Sequence, residues 1–390
     1  MSKSSLPPLS SSPKITPPCI HFEQGCGGCA HQDIAYENQL RAKAASLAAI
    51  YGTEVPVIQS PEPLGYRSRM DYIITGGKIG LRARGDHRRV IDTPHCLLLP
   101  EYARPLYLAA RAIIVASGLP DHNHLTGAGH LKYLVVRTSV TTRETMLVLT
   151  TGEPADETHT VSTRELLRTL AAIPGVTSAW WTVNAGIGDK SVGEPREHVG
   201  AETITSEIAG ARLRVGPKTF GQGNETAASD LFSRAIAHAQ GRVLDLCCGT
   251  GALAILAAKR PGVTSVIGVD VVDASIVAAR ENARDNAVVD RTEFRTQDLT
   301  EFLRDCAQQD ITFDTVICDP ARPGLGAAAC ALLVKLAPAR IIYISCNPLT
   351  HRQDLAILGA KYDISLLEGH DLFPQTPHVE ILSVLARKHA

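Results

Sequence analysis

The 390-residue chain lacks a charge imbalance, with 39 Lys and Arg against 40 Asp and Glu. That excludes a histone-like or polybasic mode of nucleic-acid binding, though not local basic patches. It lacks any run near the roughly 18 consecutive apolar residues of a membrane-spanning helix, so no membrane partner is expected. Its start, MSKSSLPPLSSSPKITPP, lacks the apolar stretch of a secretory signal and reads as a disordered Ser/Pro tail on a cytoplasmic protein. No internal repeat is present. Cysteine is missing from a long middle stretch: Cys19, Cys26, Cys29 and Cys96 are followed by none until Cys247, and then come Cys248, Cys306, Cys318, Cys330 and Cys346. In an intracellular chain this pattern argues against a disulfide scaffold and for two separate uses of sulfur. With 44% hydrophobic and 20% charged residues the chain is neither disordered nor fibrous. Its length fits two or three domains of about 150 residues each.

The grammar of the chain changes along its length. After the tail (1–18) comes a region rich in Cys and Gly (19–96). It holds the helix-like AYENQLRAKAASLAAIYG and alternating runs such as MDYIITGGKIGLRAR, read as a small hairpin. Residues 97–215 mix helices with alternating β-branched runs, LKYLVVRTSV, TMLVLTT and TSAWWTVN, which favour a mixed, mainly antiparallel sheet. From 216 to 390 apolar strands alternate with helices, which argues for a parallel α/β, Rossmann-like domain.

Ligands of such a sheet bind outside the carboxyl ends of its strands. There the sequence places Asp245-Leu246-Cys247-Cys248-Gly249-Thr250-Gly251, where Gly249 and Gly251 would let a ligand approach the backbone. About 20 residues on, Asp270 ends the next strand, placed to accept hydrogen bonds from ribose hydroxyls. This form, with GTGALA rather than GxGxxG, resembles class I S-adenosylmethionine-dependent methyltransferases. Asp298, after the third strand, is positioned for the adenine amino group or is simply an exposed loop acid. Asp319 opens Asp319-Pro320-Ala321-Arg322. Amino-methyltransferases carry an aromatic ring in that motif, so Arg322 argues against exocyclic-amine chemistry.

Cys346 ends the strand of ARIIYISCNP, and Pro348 starts a helix, so the thiol sits at a strand-to-helix turn whose N–H groups would lower its pKa and favour the nucleophilic thiolate. In this kind of sheet the last strand runs antiparallel beside strand five. Glu380, at its start, would then face Asp319 and Cys346, as a candidate base.

Phe220-Gly221-Gln222-Gly223-Asn224, Asp245 to Gly251, Asp319 to Arg322, Ser345-Cys346-Asn347-Pro348 and Phe373 to Glu380 together cover the C-terminal half. In order and spacing the set resembles the RNA uracil-C5-methyltransferase family, which makes 5-methyluridine. The resemblance implies Cys346 as nucleophile and Glu380 as base. It implies cofactor contacts from Gln222, Cys247, Gly249, Gly251, Asp270, Asp298 and Asp319, and substrate contacts from Phe220, Asp319 and Arg322. Ala321, His370, Cys247 and Ala252 depart from the family's usual residues, which bears on local rigidity and cofactor contact.

Cys19-x6-Cys26-Gly-Gly-Cys29 with the remote Cys96 allows, by spacing, zinc, an iron–sulfur cluster or free thiols. The family resemblance implies a [4Fe-4S] cluster. About 18 residues precede Cys19, too few for the RNA-binding barrel many relatives carry, so RNA contact is expected from the cluster-bearing region and the active-site cleft, with 97–215 as an RNA-facing domain. Tyr66-Arg67-Ser68-Arg69 resembles a family motif near the substrate. Lys78, Arg82, Arg84, Arg88 and Arg89 form an expected basic strip. A monomer acting on ribosomal RNA is expected, with the tRNA T-loop as the alternative substrate. A catalytically idle RNA-binding or assembly factor is the alternative of a different class.

Overall fold

Alternate residues of a strand face opposite ways, and the C-terminal half shows what that does when both faces are covered. The computed structural model describes residues 13–123, 126–186, 188 and 190–388. In it, seven strands of this half are β1 (Gly241–Leu246), β2 (Val263–Asp270), β3 (Thr292–Thr296), β4 (Thr315–Cys318), β5 (Arg340–Ser345), β6 (Tyr362–His370) and β7 (Glu380–Arg387). Val243, Val266, Ile317, Ile342, Ile344 and Leu382 pack on one side, against Leu231, Leu253 and Ile276 of three helices. Leu244, Ile267, Val316, Ile341, Tyr343 and Leu385 pack on the other, against Phe302, Leu333 and Leu355 of three more. Near-continuous apolar strands are what two covered faces require.

The sheet runs β6-β7-β5-β4-β1-β2-β3. β5, β4, β1, β2 and β3 are parallel, and β7 lies antiparallel between β5 and β6. The expected Rossmann-like domain is therefore present. Among the described residues, no helix is long and apolar enough to cross a membrane.

The sheet of the N-terminal half runs in the order Asp86–Asp92, Lys78–Ala83, Arg69–Thr75, Leu131–Thr138, Thr145–Thr151, Ser178–Val183, Glu194–Gly200. It is antiparallel apart from Thr145–Thr151 with Ser178–Val183, which run parallel across the helix Glu157–Ala171. Tyr72, Leu134, Val136 and Leu147 face the helices that carry Tyr107 and Leu166.

Several boundaries differ from the sequence reading. The hairpin at 69–92 belongs to this sheet rather than to a separate cysteine-rich unit, because Arg69–Ile73 pairs with Tyr133–Arg137. The hairpin Ile204–Ile208/Ala211–Val215 forms its own two-stranded sheet. It bridges the halves, since Ile208 and Leu213 join the catalytic core while Ile204 and Val215 cover the other sheet. Most of the expected tail lies outside the described residues. Its end is tied down, with Lys14 bridging to Ile34 and its Nζ on Asp33 at 2.6 Å.

The N-terminal region also reaches into the catalytic sheet. Val57–Ile58 pairs in parallel with β6, and Tyr51 Oη meets His351 Nδ1 at 2.7 Å. From the helix Tyr36–Tyr51, Lys43 Nζ contacts Asp371 Oδ1 at 2.6 Å, with side chains 3% and 0% exposed. Burial alone pushes the Lys43 pKa down and that of Asp371 up, while each charge supports the other. Removing one partner strands the other charge. Lys43→Met should therefore cost about 3–5 kcal/mol in urea unfolding, while Lys43→Met with Asp371→Leu should recover most of that loss.

Candidate active site

The first feature of the site is the turn after β1. Its backbone folds back through Cys247 (φ 61), Gly249 (φ 53) and Gly251 (φ 88), all left-handed. A Cβ on Gly249 would meet nothing within 4 Å, so that backbone faces open space. A Cβ on Gly251 would instead lie 3.1 Å from Ala279 and 3.2 Å from Phe294. Gly251 thus faces side chains where a Cβ would stand, and its φ is one that glycine adopts freely. Asp270 shapes the same turn: its carboxylate accepts from the Gly249 and Val272 amides, both at 2.9 Å. Asp298 is an exposed N-cap, accepting from Thr300 and Glu301 amides at 2.8 and 3.1 Å. Asp298-x-x-Glu301 is a capping pattern that the sequence displays.

Sequence reasoning passed over Asp245 as a functional group. It is fully buried beneath the turn, and neither oxygen has a hydrogen-bond partner of good geometry. Burial, then the neighbouring Asp319 and Asp270 charges, hold its pKa well above the ordinary carboxylate range.

The second feature is the junction of β4, β5 and β7. Antiparallel pairing sets Ser345 opposite Ile381 and His370 opposite Glu380, so β7 begins where β5 ends. Cys346, partly exposed, follows β5 at once. Asn347 caps the next helix by accepting from the Leu349 amide at 3.2 Å. Its Nδ2 and Thr350 Oγ1 both donate to the Arg322 carbonyl at 3.1 Å. The Asp319–Arg322 loop is thereby fixed beside the thiol.

Charges at this junction act on one another. Burial raises the Glu380 pKa to about 8, with Asp319 adding to the rise and Arg322 opposing it. Burial alone raises Asp319 to about 7. The Cys346 thiol is raised to about 11 by burial and by Glu380, with Arg322 pulling it back. The expected depression of the thiol pKa is therefore not found, because partial burial beside two carboxyls outweighs the backbone N–H contribution.

Phe220 is 72% exposed, while Gln222 is tied through its carbonyl, which accepts from Ser68 Oγ at 2.6 Å. Arg67 pairs with Asn224 in an isolated bridge and lies over the Phe373 ring at 5.0 Å. Asn224 in turn reaches the Leu372 carbonyl at 3.0 Å. Gln222, Asn224, Arg67 and Phe373 therefore form one connected wall next to the loop that leads into Glu380, with Phe220 exposed two residues before Gln222.

The four early cysteines, each 6–8% exposed, line one small cavity with Phe22, Gln32 and Leu98. Gln32 Nε2 donates to Cys29 Sγ at 3.1 Å. A Cβ on Gly27 or Gly28 would come within 2.7 Å of Arg82 O or of Leu81, so the Cys-Gly-Gly-Cys turn fits only as glycine against the hairpin. Burial raises Cys26 to about 11 and Cys29 to about 12, and the neighbouring thiolates add to both. Among the described residues no three His, Cys, Asp or Glu converge closely enough to hold a single metal ion. Arg84, expected in an RNA strip, is used internally: it donates to Phe22 O at 2.7 Å and stacks over that ring at 4.0 Å.

A doubly wound sheet with a glycine turn at the end of its first strand, an acid ending the second, and a thiol and carboxyl meeting at the fourth, fifth and seventh defines an S-adenosylmethionine-dependent methyltransferase. The chain belongs to the tRNA (Uracil-5-)-methyltransferase family, whose profile matches residues 208–388. A tRNA (uracil(54)-C(5))-methyltransferase of Pyrococcus horikoshii is 32% identical over 97% of this chain and 88% of its own length. An uncharacterized RNA methyltransferase of Clostridium tetani is 30% identical over 96% and 85%. The crystal structure of Pyrococcus abyssi tRNA (uracil-54, C5)-methyltransferase in complex with S-adenosyl-L-homocysteine superposes with a TM-score of 0.80, at 30% identity, covering 93% of this chain and 86% of that one. The protein is accordingly an S-adenosylmethionine-dependent RNA (uracil-5-)-methyltransferase, with RNA as its partner.

The Arg322 cation favours the Cys346 thiolate, so its removal must raise the thiol pKa further. Iodoacetamide labelling of Cys346, mapped by peptide mass spectrometry between pH 7 and 9, should speed up with pH. In Arg322→Ala it should be severalfold slower at each pH; unchanged or faster labelling contradicts the assignment.

Proposed function

We propose that Cys346 and Glu380 carry out uracil-C5 methylation by covalent catalysis. The observation that carries this reading is their junction: a partly exposed thiol at the end of β5, beside a buried carboxyl at the start of β7. Uracil C5 is a weak nucleophile. The Cys346 thiolate adds to C6, forming a C–S bond and moving the C5–C6 π electrons into an enolate with nucleophilic density at C5. S-adenosylmethionine, when bound, supplies the methyl group to C5 with a neutral thioether as leaving group. Glu380 then takes the C5 proton, the C–H electrons reform the C5–C6 double bond, and the thiolate leaves. A carboxyl pushed up to about 8 is a stronger base than an ordinary one and is tuned near neutral pH.

The residues present fit the methyl donor. Gly249 offers open backbone, Asp270 ends β2 beside it, and Asp319 stands between this turn and Cys346. Gln222, Cys247 and Asp298 complete the proposed cofactor contacts. Phe220, exposed two residues before Gln222, is proposed to stack on an extruded base, with Arg322 and Asp319 as its polar neighbours.

Cys19, Cys26, Cys29 and Cys96 are proposed to hold a [4Fe-4S] cluster. Four buried thiols lining one cavity, at the spacing Cys-x6-Cys-x2-Cys with a remote fourth, support the cluster. Its role is structural in this reading, and the need for reduced thiols goes with a cytoplasmic setting.

For the RNA, likeness along nearly the whole chain to enzymes acting on uracil 54 of tRNA supports the tRNA T-loop. Ribosomal RNA of the large subunit is the second reading, resting on the cysteine-rich segment. Mapping 5-methyluridine in tRNA and rRNA from a deletion strain decides between them: loss at tRNA position 54 supports the first, and loss in 23S rRNA alone the second.

Cys346→Ala should abolish turnover, and Glu380→Gln should leave methylated RNA bound covalently in denaturing gels. Absence of that adduct with an intact fold counts against Glu380 as base. Purified without oxygen, the protein should be brown, and a colourless protein with stoichiometric zinc overturns the cluster.

A further inference from the structure

The segment 371–379 ends one residue before Glu380, and much of what holds it comes from the beginning of the chain. Gln375 sits within it in the left-handed region (φ 67), which L residues without special support rarely adopt. Its support is extensive. Its amide donates to Gln39 Oε1 at 3.1 Å, and its Oε1 accepts from Gln39 Nε2 at 2.9 Å, a reciprocal pair. Its carbonyl accepts from the Ala30 and His31 amides at 2.7 and 3.1 Å, and its Nε2 donates to Pro63 O at 3.3 Å. Gln39 is fully buried and also donates to the His31 and Ile34 carbonyls, both at 2.9 Å. Ala30 directly follows Cys29, so the strand of backbone gripping Gln375 continues the four-cysteine segment. Tyr66 Oη adds a bond to Pro374 O at 2.9 Å.

The thiol side of the site is held differently. Cys346 is fixed by β5, by the Asn347 cap and by the Arg322 carbonyl, and the N-terminal region reaches its helix through Tyr51 Oη, on Pro348 O at 3.3 Å and His351 Nδ1 at 2.7 Å, contacts in which Gln375 has no part. Loosening Gln375 therefore frees the approach to Glu380 while leaving the nucleophile and the cofactor turn in place.

We propose that Gln375 is a positioning residue for Glu380: its reciprocal pair with Gln39 and the Ala30 and His31 amides set the base for proton removal from C5. This rests on Glu380 being that base. Thiolate addition and methyl transfer then proceed without Gln375, whereas removal of the C5 proton, with return of the C–S electrons to Cys346, depends on it.

The test uses the full-length protein in single turnovers on unmodified RNA, with Gln39→Met and Gln375→Gly beside Glu380→Gln and the wild type. Gln39→Met keeps side-chain length but deletes the amide. Gln375→Gly keeps the left-handed φ but deletes the side chain. Two rates are read, methyl incorporation and decay of the denaturant-resistant RNA adduct, together with melting temperature. Methyl incorporation should stay within about twofold of wild type, while adduct decay slows on the order of tenfold to hundredfold, the scale of a misplacement near 1 Å. Unchanged decay in whichever variant folds overturns the proposal. So does an equal slowing of both steps, which marks general loosening. Failure of Glu380→Gln to accumulate adduct brings down the base assignment itself, an outcome distinct from either.

Discussion

Everything at the site depends on the antiparallel pairing of β7 with β5. A parallel seventh strand would begin at the far edge of the sheet, and a carboxyl at its start would never meet the thiol at the end of β5. The register Ser345 to Ile381 brings the two together directly. A slip of one residue would send Ile381, Leu382, Val384 and Leu385 to the opposite faces, against helices they do not fit, and would carry Ser383 Oγ away from His351 Nε2, which it meets at 2.9 Å. The chemistry is thus protected by the same burial that stabilises the fold.

The second consequence of that convergence is electrostatic. Asp245, Asp319 and Glu380 are brought together with little compensating cation, so burial raises the pKa of all three, and Asp319 adds to the rise at both Asp245 and Glu380. Groups with raised folded-state pKa values contribute stability in the neutral form, and that contribution is lost as pH rises through about 7 for Asp319 and about 8 for Glu380. A base of raised pKa is useful to proton abstraction and costly to the fold in the same pH range. Arg322 is the counterweight, and its carbonyl anchors the helix that follows Cys346 while its charge acts on both Cys346 and Glu380.

Much of this was legible in the sequence because the catalytic half is built from local units. The turn after β1, the acid ending β2, and the positions of Cys346 and Glu380 follow from strand–helix alternation and from where the last strand inserts. Contacts spanning the chain were not legible. Lys43 with Asp371 and Gln39 with Gln375 are separated by 328 and 336 residues, and no period or motif announces them. Backbone registry also hid the hairpin at 69–92, whose strands read as an independent unit until Arg69–Ile73 pairs with Tyr133–Arg137. The thiol pKa was misjudged because the sequence displays the helix start but not the burial or the facing carboxyls.

In the proposed reaction Cys346 forms a covalent bond to the target base, and proton removal from C5 ends it. RNA carrying 5-fluorouridine at the target tests this directly, because fluorine at C5 leaves no proton for the base to take. With S-adenosylmethionine present, the enzyme should become trapped on this RNA, and peptide mass spectrometry should place the methylated nucleotide on Cys346. A trapped adduct on another residue, or none with a folded and cofactor-bound enzyme, would contradict the account.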